Sequence, residues 1–281
     1  MGLYHSIDAA PFLYYFIFAV VTVVMKLDIE LYLTKNVMKE NKYDNSHFFN
    51  QYSQMSRSVN GLQGAGEWHV LKKMFPDFKG KRVLDLGCGF GWHCRYAMEQ
   101  GAISVLGIDL SEKMLTEARK INSLPGIEYQ RIAIEDFDFP ANAFDVVISS
   151  LAFHYLEDFG KICDKVHYSL SKAGTFAFSV EHPIFTAQGL QDWYYDEKGN
   201  RIHWPVDQYA NQGIRKANFL GVEVTKYHKT LTTYISSLIK SGFEIIGISE
   251  PEPEKALLES IPEMKDELRR PMFLILSATK K

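Results

Sequence analysis

The sequence predicts a doubly wound α/β domain with a mostly parallel sheet of seven strands. Helix and strand signals alternate from about residue 45, as in chains that place a helix between successive parallel strands. The predicted strand Phe144–Ser149 holds a continuous apolar run, Val146 to Ile148, which is typical of a strand buried on both faces. The last two predicted strands are joined by a connection short enough to indicate an antiparallel hairpin at the sheet edge.

The individual elements follow from apolar spacing and helix caps. Before the sheet, apolar residues at helical spacing predict a helix over Gly64–Met74. Ser111 is a suitable N-cap for a helix that continues to about Lys120. Strands are predicted over Arg82–Leu86, Ser104–Ile108, Ile127–Ile132, Phe144–Ser149, Thr175–Val180, Phe243–Ile248 and Met272–Ala278. Further helices are predicted over Trp92–Gln100, Leu156–Leu170 and Leu231–Lys240.

Composition and charge limit the classes of function. The chain has 281 residues, of which 46% are apolar and 23% charged, as in ordinary globular proteins. Its net charge of −3 and pI of about 6.3 lack the basic field that nucleic-acid binding needs, so no nucleic-acid substrate is expected. Three cysteines without a C-x-x-C pair indicate free thiols in a reducing compartment, which predicts a cytoplasmic protein. No ligand pairs stand at metal-binding spacing, so no metal site is predicted.

A glycine turn follows the first predicted strand and marks a ligand site. The run VLDLGCGFG over Val83–Gly91 carries glycines at alternate positions: Gly87, Gly89 and Gly91. Without Cβ atoms, these residues let the backbone approach a ligand closely, and the following helix presents free N–H groups to it. The second predicted strand ends in Asp109, a carboxylate suited to the two vicinal hydroxyls of a ribose. The chain is therefore predicted to bind a nucleoside-bearing cofactor.

The spacing of the glycines indicates which kind of cofactor binds. Dinucleotide-binding folds use G-x-G-x-x-G, whereas this chain has G-x-G-x-G with Trp92 in the place of the last glycine. A bulky indole there disfavours the close approach of a pyrophosphate. Asp85, two residues before the turn, would repel a phosphate but can help to hold an ammonium group. These residues indicate a ligand with an amino-acid tail and a single ribose.

The run Val83–Gly91, followed by the residues GIDLS from Gly107 to Ser111, resembles the signature of class I S-adenosylmethionine-dependent methyltransferases. The resemblance implies a Rossmann-like methyltransferase fold and S-adenosyl-L-methionine as the cofactor. Where relatives often place an acid for the adenine amino group, this chain has Ala133, so the N–H of Ile134 or a carboxylate just after it is expected to serve instead. The implied cofactor-binding residues are Tyr52, Arg57, Asp85, Gly87, Cys88, Gly89, Gly91, Asp109, Leu110, Ile134, Glu135, Ser150 and Leu151.

Catalysis is expected to need few side chains, because the sulfonium donor is already activated and in-line displacement depends mainly on placement. The acceptor is expected to be a small molecule, since the Asn/Asp-Pro-Pro-aromatic run of enzymes that methylate nucleic-acid amino groups is absent. His154 resembles a histidine often found after the fourth strand in small-molecule methyltransferases and could act as a general base. His182, directly after the fifth strand, is a second candidate. For both residues a packing or capping role is the alternative.

Two segments flank or interrupt the predicted methyltransferase domain, which covers residues 38–281. Residues 1–37 form an apolar extension, in which the uncharged segment 9–25 falls slightly short of the roughly 30 Å hydrocarbon core as a helix. It is either a membrane-associating segment that leaves the domain cytoplasmic or an extension upstream of a translation start at Met38. Residues 181–229 form a lid-like insertion rich in aromatic residues, which could line an acceptor pocket or pack as a small core of their own.

Two other functions stay open at this point. An NAD(P)-dependent oxidoreductase is the first, and Trp92 argues against it. The second is a non-catalytic protein that binds S-adenosylmethionine as a sensor, because methyl transfer has no obligatory catalytic residue. The sequence does not indicate the methyl acceptor or the oligomeric state.

Overall fold

The computed structural model describes residues 39, 41–260 and 262–281, which are built around a seven-stranded sheet. The strands are, in chain order, β1 (Arg82–Leu86), β2 (Ser104–Asp109), β3 (Ile127–Arg131), β4 (Phe144–Ser150), β5 (Leu170–Glu181), β6 (Tyr194–Tyr195), β7 (Arg201–His203), β8 (Gly213–Phe219), β9 (Val222–His228), β10 (Phe243–Ser249) and β11 (Phe273–Lys280). The central sheet has the order β10-β11-β5-β4-β1-β2-β3. Neighbours pair in parallel apart from the two pairings of β11. This arrangement confirms the predicted fold class.

Helices cover both faces of the sheet. They are α1 (Ser46–Ser53), α2 (Ser56–Val59), α3 (Trp68–Met74), α4 (Trp92–Glu99), α5 (Glu112–Ile121), α6 (Phe159–Ser169), α7 (Pro183–Thr186), α8 (Leu231–Lys240) and α9 (Lys255–Ser260). Successive strand residues point to opposite faces, so Val83 joins the core that contains Cys94 of α4. Leu84 joins the other core, with Val147 of β4 and Val166 of α6. Continuous apolar strands are therefore buried from both sides, as the sequence pattern predicts.

The connection between β10 and β11 differs from the predicted short hairpin. It spans residues 250–272 and contains α9 and a 3₁₀ turn, Pro262–Arg269. Pro251 and Pro253 end β10, because proline cannot donate to a strand ladder. β11 then enters the sheet between β5 and β10, where Leu274 and Leu276 are fully buried. The antiparallel pairing was predicted correctly, whereas the short connection was wrong.

Two helices begin later than predicted. The helix expected from Gly64 begins at Trp68, because the glycine-rich stretch before it forms a 3₁₀ turn, Gly61–Gly64. The helix expected from Leu156 begins at Phe159, where the Asp158 side chain accepts a hydrogen bond from the N–H of Lys161 at 3.0 Å. β5 also begins five residues before the predicted strand, at Leu170 rather than Thr175.

The insertion over residues 181–229 contains α7 and two separate hairpins. β6 pairs with β7, and β8 pairs with β9, both antiparallel. Ala217 of β8 and Val224 of β9 pack on Phe48 of α1, with Tyr52 and Phe219 at the edge of the same small core. The insertion is thus joined to the helical segment that precedes the sheet. Its function as a lid stays a prediction.

The predicted N-terminal extension, residues 1–37 with its apolar segment 9–25, lies outside the described residues. Within the described part of the chain, no helix is both long and apolar enough to cross a membrane. The remainder, from Glu40 to Lys281, forms one compact unit.

Candidate functional site

The glycine turn lies between β1 and α4 at the carboxyl edge of the parallel strands. The N–H groups of Gly87 and Cys88 both donate to the carbonyl of Ile108 at 2.9 Å, which ties the turn to β2. All three glycines adopt left-handed conformations, with φ of +73° at Gly87, +53° at Gly89 and +75° at Gly91. Among the described residues, a Cβ at Gly89 would meet Met114 alone, at 3.4 Å. The turn therefore leaves space above its centre for a ligand.

The indole of Trp92 lies against the 3₁₀ turn that precedes α3. A Cβ on Gly61, in the 3₁₀ turn before α3, would lie 3.0 Å from the Trp92 ring. The ring therefore packs closely on the segment before the sheet. A bulky residue at this position is accommodated because a glycine on the opposite segment makes room for it.

Asp109 is held by the two backbone segments that the ribose would meet. Its Oδ2 accepts from the N–H of Gly89 at 2.9 Å, and its Oδ1 accepts from the N–H of Ser111 at 2.8 Å. A carboxylate offers about four lone pairs, so each oxygen can accept one further hydrogen bond. Burial raises the pKa of Asp109, although both N–H groups oppose the shift. The carboxylate is thus fixed in place and can still accept from two vicinal hydroxyls.

Asp85 lies beneath the turn and is 1% exposed. Its Oδ2 accepts a hydrogen bond from the Cys94 thiol at 3.3 Å, while Oδ1 has no partner among the described residues. Burial raises the pKa of Asp85 to about 7. A cationic ammonium group would complement this buried oxygen. Burial also raises the pKa of the Cys88 thiol to about 11, so Cys88 stays protonated and suits the site as a small residue.

The residues predicted after β3 and β4 approach the turn to different degrees. Ile134 is buried, and its Cδ1 lies 3.7 Å from the position of a Cβ on Gly87. Leu151 adopts φ of +55° and donates its N–H to the carbonyl of Ser179 at 2.9 Å, which turns the chain at the end of β4. Glu135 is held from the other side, since its carbonyl accepts from Lys165 of α6 at 2.6 Å. Ile134 thus borders the turn, whereas Glu135 contacts Lys165 of α6 on the side away from the turn.

Leu110 follows directly after Asp109. Its carbonyl accepts from the Arg131 Nε of β3 at 3.2 Å, which fixes the backbone beside the Asp109 carboxylate. Its side chain is half-buried. Its contact with the cofactor stays a prediction.

The segment before the sheet lies over the glycine turn. The Tyr52 ring packs edge-on against Phe90 of the turn, with centroids 5.9 Å apart. Arg57 donates from Nη2 to both carboxylate oxygens of Glu67 at 2.8 Å. Glu67 Oε1 also accepts from the Ser150 hydroxyl at 3.1 Å, so this segment reaches the end of β4. Glu67 was not predicted from the sequence, because no local pattern pairs it with Arg57 across ten residues.

The two candidate bases have different surroundings. His154 is 2% exposed, and its Nδ1 has no hydrogen-bond partner within the described residues. Burial lowers the pKa of His154 to about 4, although the Glu181 carboxylate opposes the shift. His182 instead caps α7, where its Nδ1 accepts from the N–H of Ile184 at 3.0 Å and its Nε2 lies 2.8 Å from Glu250 Oε1. These contacts favour a structural function for His182 and leave His154 with a free ring nitrogen.

A buried polar cluster beside His154 also escaped the sequence analysis. Lys226 of β9 donates to Glu181 Oε1 at 2.6 Å and to Gln191 Oε1 at 2.8 Å. Lys229 donates to the carbonyls of Phe153 and Leu156, which flank His154 in the chain. Burial lowers the pKa of Lys229 to about 7. In the part of the chain that the structure describes, no group of His, Cys, Asp and Glu residues could hold a metal ion.

The fold and the site together define the class of protein. A mostly parallel seven-stranded sheet with one antiparallel strand, a glycine turn after β1 and an acid at the end of β2 form the arrangement of a class I methyltransferase. The family model described as a methyltransferase domain matches residues 84–178. That match covers the turn, Asp109 and the strand ends described above.

Longer relatives identify the family over the whole domain. A solved protein from Listeria monocytogenes, assigned to the S-adenosylmethionine-dependent methyltransferases, is 59% identical, covers 79% of this chain and 99% of its own, and superimposes with a TM-score of 0.75. An S-adenosylmethionine-dependent methyltransferase from Mesorhizobium loti is 46% identical over 78% of this chain and all of its own, with a TM-score of 0.73. An uncharacterized protein from Haemophilus influenzae is 35% identical over 85% of this chain and 96% of its own. The chain belongs to the class I S-adenosylmethionine-dependent methyltransferases; it is an enzyme of this family, and S-adenosylmethionine is its cofactor. The oxidoreductase alternative is thereby set aside.

Proposed function

We propose that the protein transfers a methyl group from S-adenosylmethionine to a small-molecule acceptor at the carboxyl ends of β4 and β5. The observation that carries this proposal is the position of His154. Its imidazole is buried just after β4 and has a ring nitrogen free of partners within the described residues, and Lys229 from the insertion donates to the carbonyl of the preceding residue, Phe153. A base that is 2% exposed suits an acceptor small enough to enter the protein rather than a segment of a polymer.

The residues around the turn fit the cofactor. In this proposal Asp109 accepts from the two ribose hydroxyls, and the unpartnered Oδ1 of Asp85 attracts the ammonium group. Gly87, Gly89 and Gly91 leave room for the methionine chain and ribose, while Leu110 and Ile134 border the adenine. Tyr52 and Arg57 cover the cofactor from the segment before the sheet, and Ser150 and Leu151 place the end of β4 beside the methyl group. Cys88 contributes a small side chain, and Glu135 stays the weakest member of the predicted set.

Bound S-adenosylmethionine supplies a methyl group that is already activated on a sulfonium. The protein therefore has to place the acceptor in line with it and exclude water. His154 is neutral at physiological pH, because burial holds its pKa near 4, so its free nitrogen can accept a hydrogen bond from the acceptor. It then takes the proton of the attacking atom as methyl transfer gives that atom positive charge and makes its proton acidic. The Tyr155 ring lies tilted beside that of His154, with centroids 4.4 Å apart, and its hydroxyl shares a hydrogen bond with the Tyr43 hydroxyl at 3.2 Å, which ties this part of the chain to the segment before the sheet.

Charge and relatives bear on the acceptor differently. The net charge of −3 supports a small molecule over a nucleic acid. Relatives that match shorter stretches include a ubiquinone biosynthesis O-methyltransferase from Neisseria meningitidis, 43% identical over 75 residues. They also include a tRNA U34 carboxymethyltransferase from Cellvibrio japonicus, 32% identical over 93 residues. Each is covered over less than a third of its length, so these names do not choose between the two acceptor classes.

Labelled methyl transfer tests the proposal. The protein is incubated with S-adenosylmethionine carrying a deuterated methyl group and with two fractions of a cell extract, one of small molecules and one of nucleic acids. We expect S-adenosylhomocysteine to form and the label to enter the small-molecule fraction. The His154→Ala variant should lower the rate by roughly 10²–10⁴-fold, and His182→Ala by far less. Label in the nucleic-acid fraction would contradict the proposed acceptor class, and equal rates for both variants would contradict the function of His154.

Binding of the cofactor provides the control for these variants. Calorimetry of S-adenosylhomocysteine should give the same affinity for His154→Ala as for the unchanged protein, since His154 is assigned to the acceptor. Asp109→Ala should lose the affinity, because it removes the ribose acceptor. NADH should bind to none of the proteins.

A further inference from the structure

Four side chains form a continuous hydrogen-bonded chain across the site. Arg57 Nη2 donates to both oxygens of Glu67 at 2.8 Å, and the Ser150 hydroxyl donates to Glu67 Oε1 at 3.1 Å. The Ser179 hydroxyl of β5 then donates to Ser150 Oγ at 3.2 Å. The chain links the segment before the sheet to the carboxyl ends of β4 and β5. Glu67 lies at its centre, with a side chain that is 2% exposed.

The ion pair is asymmetric in a way that points to a ligand. Glu67 is enclosed, whereas 20% of the Arg57 side chain is exposed. A guanidinium has five N–H donors, and the bonds to Glu67 come from Nη2 alone, which leaves those on Nε and Nη1. The Tyr52 hydroxyl interacts with the same guanidinium and can take one of them. At least two donors then remain for an anionic group on the exposed side.

Glu67 is suited to fix the guanidinium in this orientation. Although burial would raise the pKa of Glu67, the Arg57 guanidinium lowers it below its ordinary value, so the carboxylate is ionised. An ionised carboxylate whose two oxygens both accept from Nη2 holds that nitrogen in place, so the remaining donors of the guanidinium point away from Glu67. The bond from Ser150 fixes that carboxylate relative to β4.

We propose that Glu67 is a positioning residue, which orients Arg57 to hold the carboxylate of the methionine moiety of the cofactor. This inference rests on the proposed cofactor site, where Asp85 meets the ammonium group at the other side of the same amino-acid tail. The two ends of the tail would then be matched by an unpaired buried acid and by a preoriented guanidinium. Because Glu67 also accepts from Ser150, it fixes the position of the amino-acid tail relative to the end of β4, which lies beside the methyl group.

Two ligands separate this function from a merely structural one. S-Adenosylhomocysteine carries the amino-acid tail, whereas 5′-methylthioadenosine has the same nucleoside and sulfur without it. The Glu67→Gln variant keeps the size of the side chain and removes the charge that orients Arg57. We expect its affinity for S-adenosylhomocysteine to fall about tenfold or more, as for a weakened charge-assisted hydrogen bond, with the affinity for 5′-methylthioadenosine unchanged.

The experiment is calorimetry of both ligands against the full chain and its variants. Arg57→Lys is the second variant, because it lies at the more exposed end of the pair and keeps the charge but loses the planar fork; it should show the same selective loss. Glu128→Gln, an exposed acid on β3, is the matched control and should change neither affinity. A selective loss in Glu67→Gln supports the inference, and the same loss in Arg57→Lys shows that Glu67 acts through Arg57.

Three results would overturn it. If both ligands weaken equally in Glu67→Gln, the residue supports the fold of the whole pocket and not the tail. If S-adenosylhomocysteine keeps its full affinity in Glu67→Gln, Glu67 does not position Arg57; if it keeps its full affinity in Arg57→Lys, where the first variant does not fold, Arg57 does not meet the carboxylate. If the unchanged protein binds S-adenosylhomocysteine but Asp109→Ala binds it equally well, the proposed cofactor site is wrong, and the inference is rejected with it.

Discussion

Substitution of Gly91 by alanine should destabilise the protein far more than a left-handed backbone alone requires. Gly91 has φ of +75°, and a non-glycine residue there costs roughly 1–2 kcal/mol. A Cβ would also lie 2.1 Å from the Tyr129 hydroxyl oxygen and 2.8 Å from its Cζ. The hydroxyl donates to the carbonyl of Asn122 at 2.8 Å, and its displacement would cost roughly 1–3 kcal/mol more. Together these losses amount to about 2–5 kcal/mol.

Gly80 provides the matched control for this substitution. It has nearly the same backbone conformation, with φ of +72°, but among the described residues no atom lies within 4 Å of the position of its Cβ. Gly80→Ala should therefore cost only the backbone contribution of roughly 1–2 kcal/mol. The difference between the two variants measures the collision with Tyr129.

Urea unfolding of the ligand-free protein, followed by circular dichroism, measures both variants. Gly91→Ala should also lower the melting temperature by roughly 5–15 °C. On a Tyr129→Phe background its cost should shrink, because the hydroxyl oxygen is the nearest atom and is then absent. Equal destabilisation by Gly91→Ala and Gly80→Ala, or no change on the Tyr129→Phe background, would refute the steric argument.

Three further predictions concern buried or paired ionisable groups. Burial raises the pKa of Asp85 to about 7, so the ligand-free protein should lose stability as the pH rises from about 4 to 7, and Asp85→Asn should abolish this loss in urea titrations. The Arg82 side chain lowers the pKa of Asp145, so Asp145→Asn should cost about 1–3 kcal/mol at neutral pH, and the difference from the unchanged protein should vanish in acid as Asp145 itself becomes protonated. Burial lowers the pKa of Lys229 to about 7, so the stability of the protein should rise between about pH 7 and 10. Thermal unfolding of Lys229→Met should show no such rise. Its free energy of unfolding should be lower by about 1–3 kcal/mol, because three backbone carbonyls lose their donor.

Most strands of the sheet could be predicted because each carries its signal locally. A strand buried on both faces needs a run of apolar residues, and β1, β2 and β4 end within one residue of the predicted bounds. The position of β11 could not be predicted in the same way. Its place depends on pairing with β5, for example Leu276 with Phe178, almost a hundred residues away. An apolar run shows that a strand is buried but not which strands lie beside it.

The candidate site likewise has residues that local sequence patterns indicate and residues whose burial depends on distant partners. The residues assigned to the cofactor lie mostly within two short runs, 85–91 and 107–111, whose spacing is visible in the sequence. Glu67, Lys226 and Lys229 are charged residues, and such residues usually lie at the surface. Their burial results from partners on distant segments, such as Ser150 for Glu67. The periodicities of strands and helices, 2 and 3.6 residues, do not indicate which distant residues pair.

The small core between α1 and the β8–β9 hairpin joins the two halves of the site. The Phe48 ring of α1 packs against Phe219 with centroids 5.7 Å apart, while Tyr52 of the same helix packs on Phe90 of the glycine turn. At the other end of the hairpin, Lys229 holds the carbonyls on either side of His154. The cover of the proposed cofactor site and the wall of the proposed acceptor site therefore depend on one set of aromatic contacts. Because neither part can shift without disturbing this core, we expect cofactor affinity and acceptor selection to change together when it is altered.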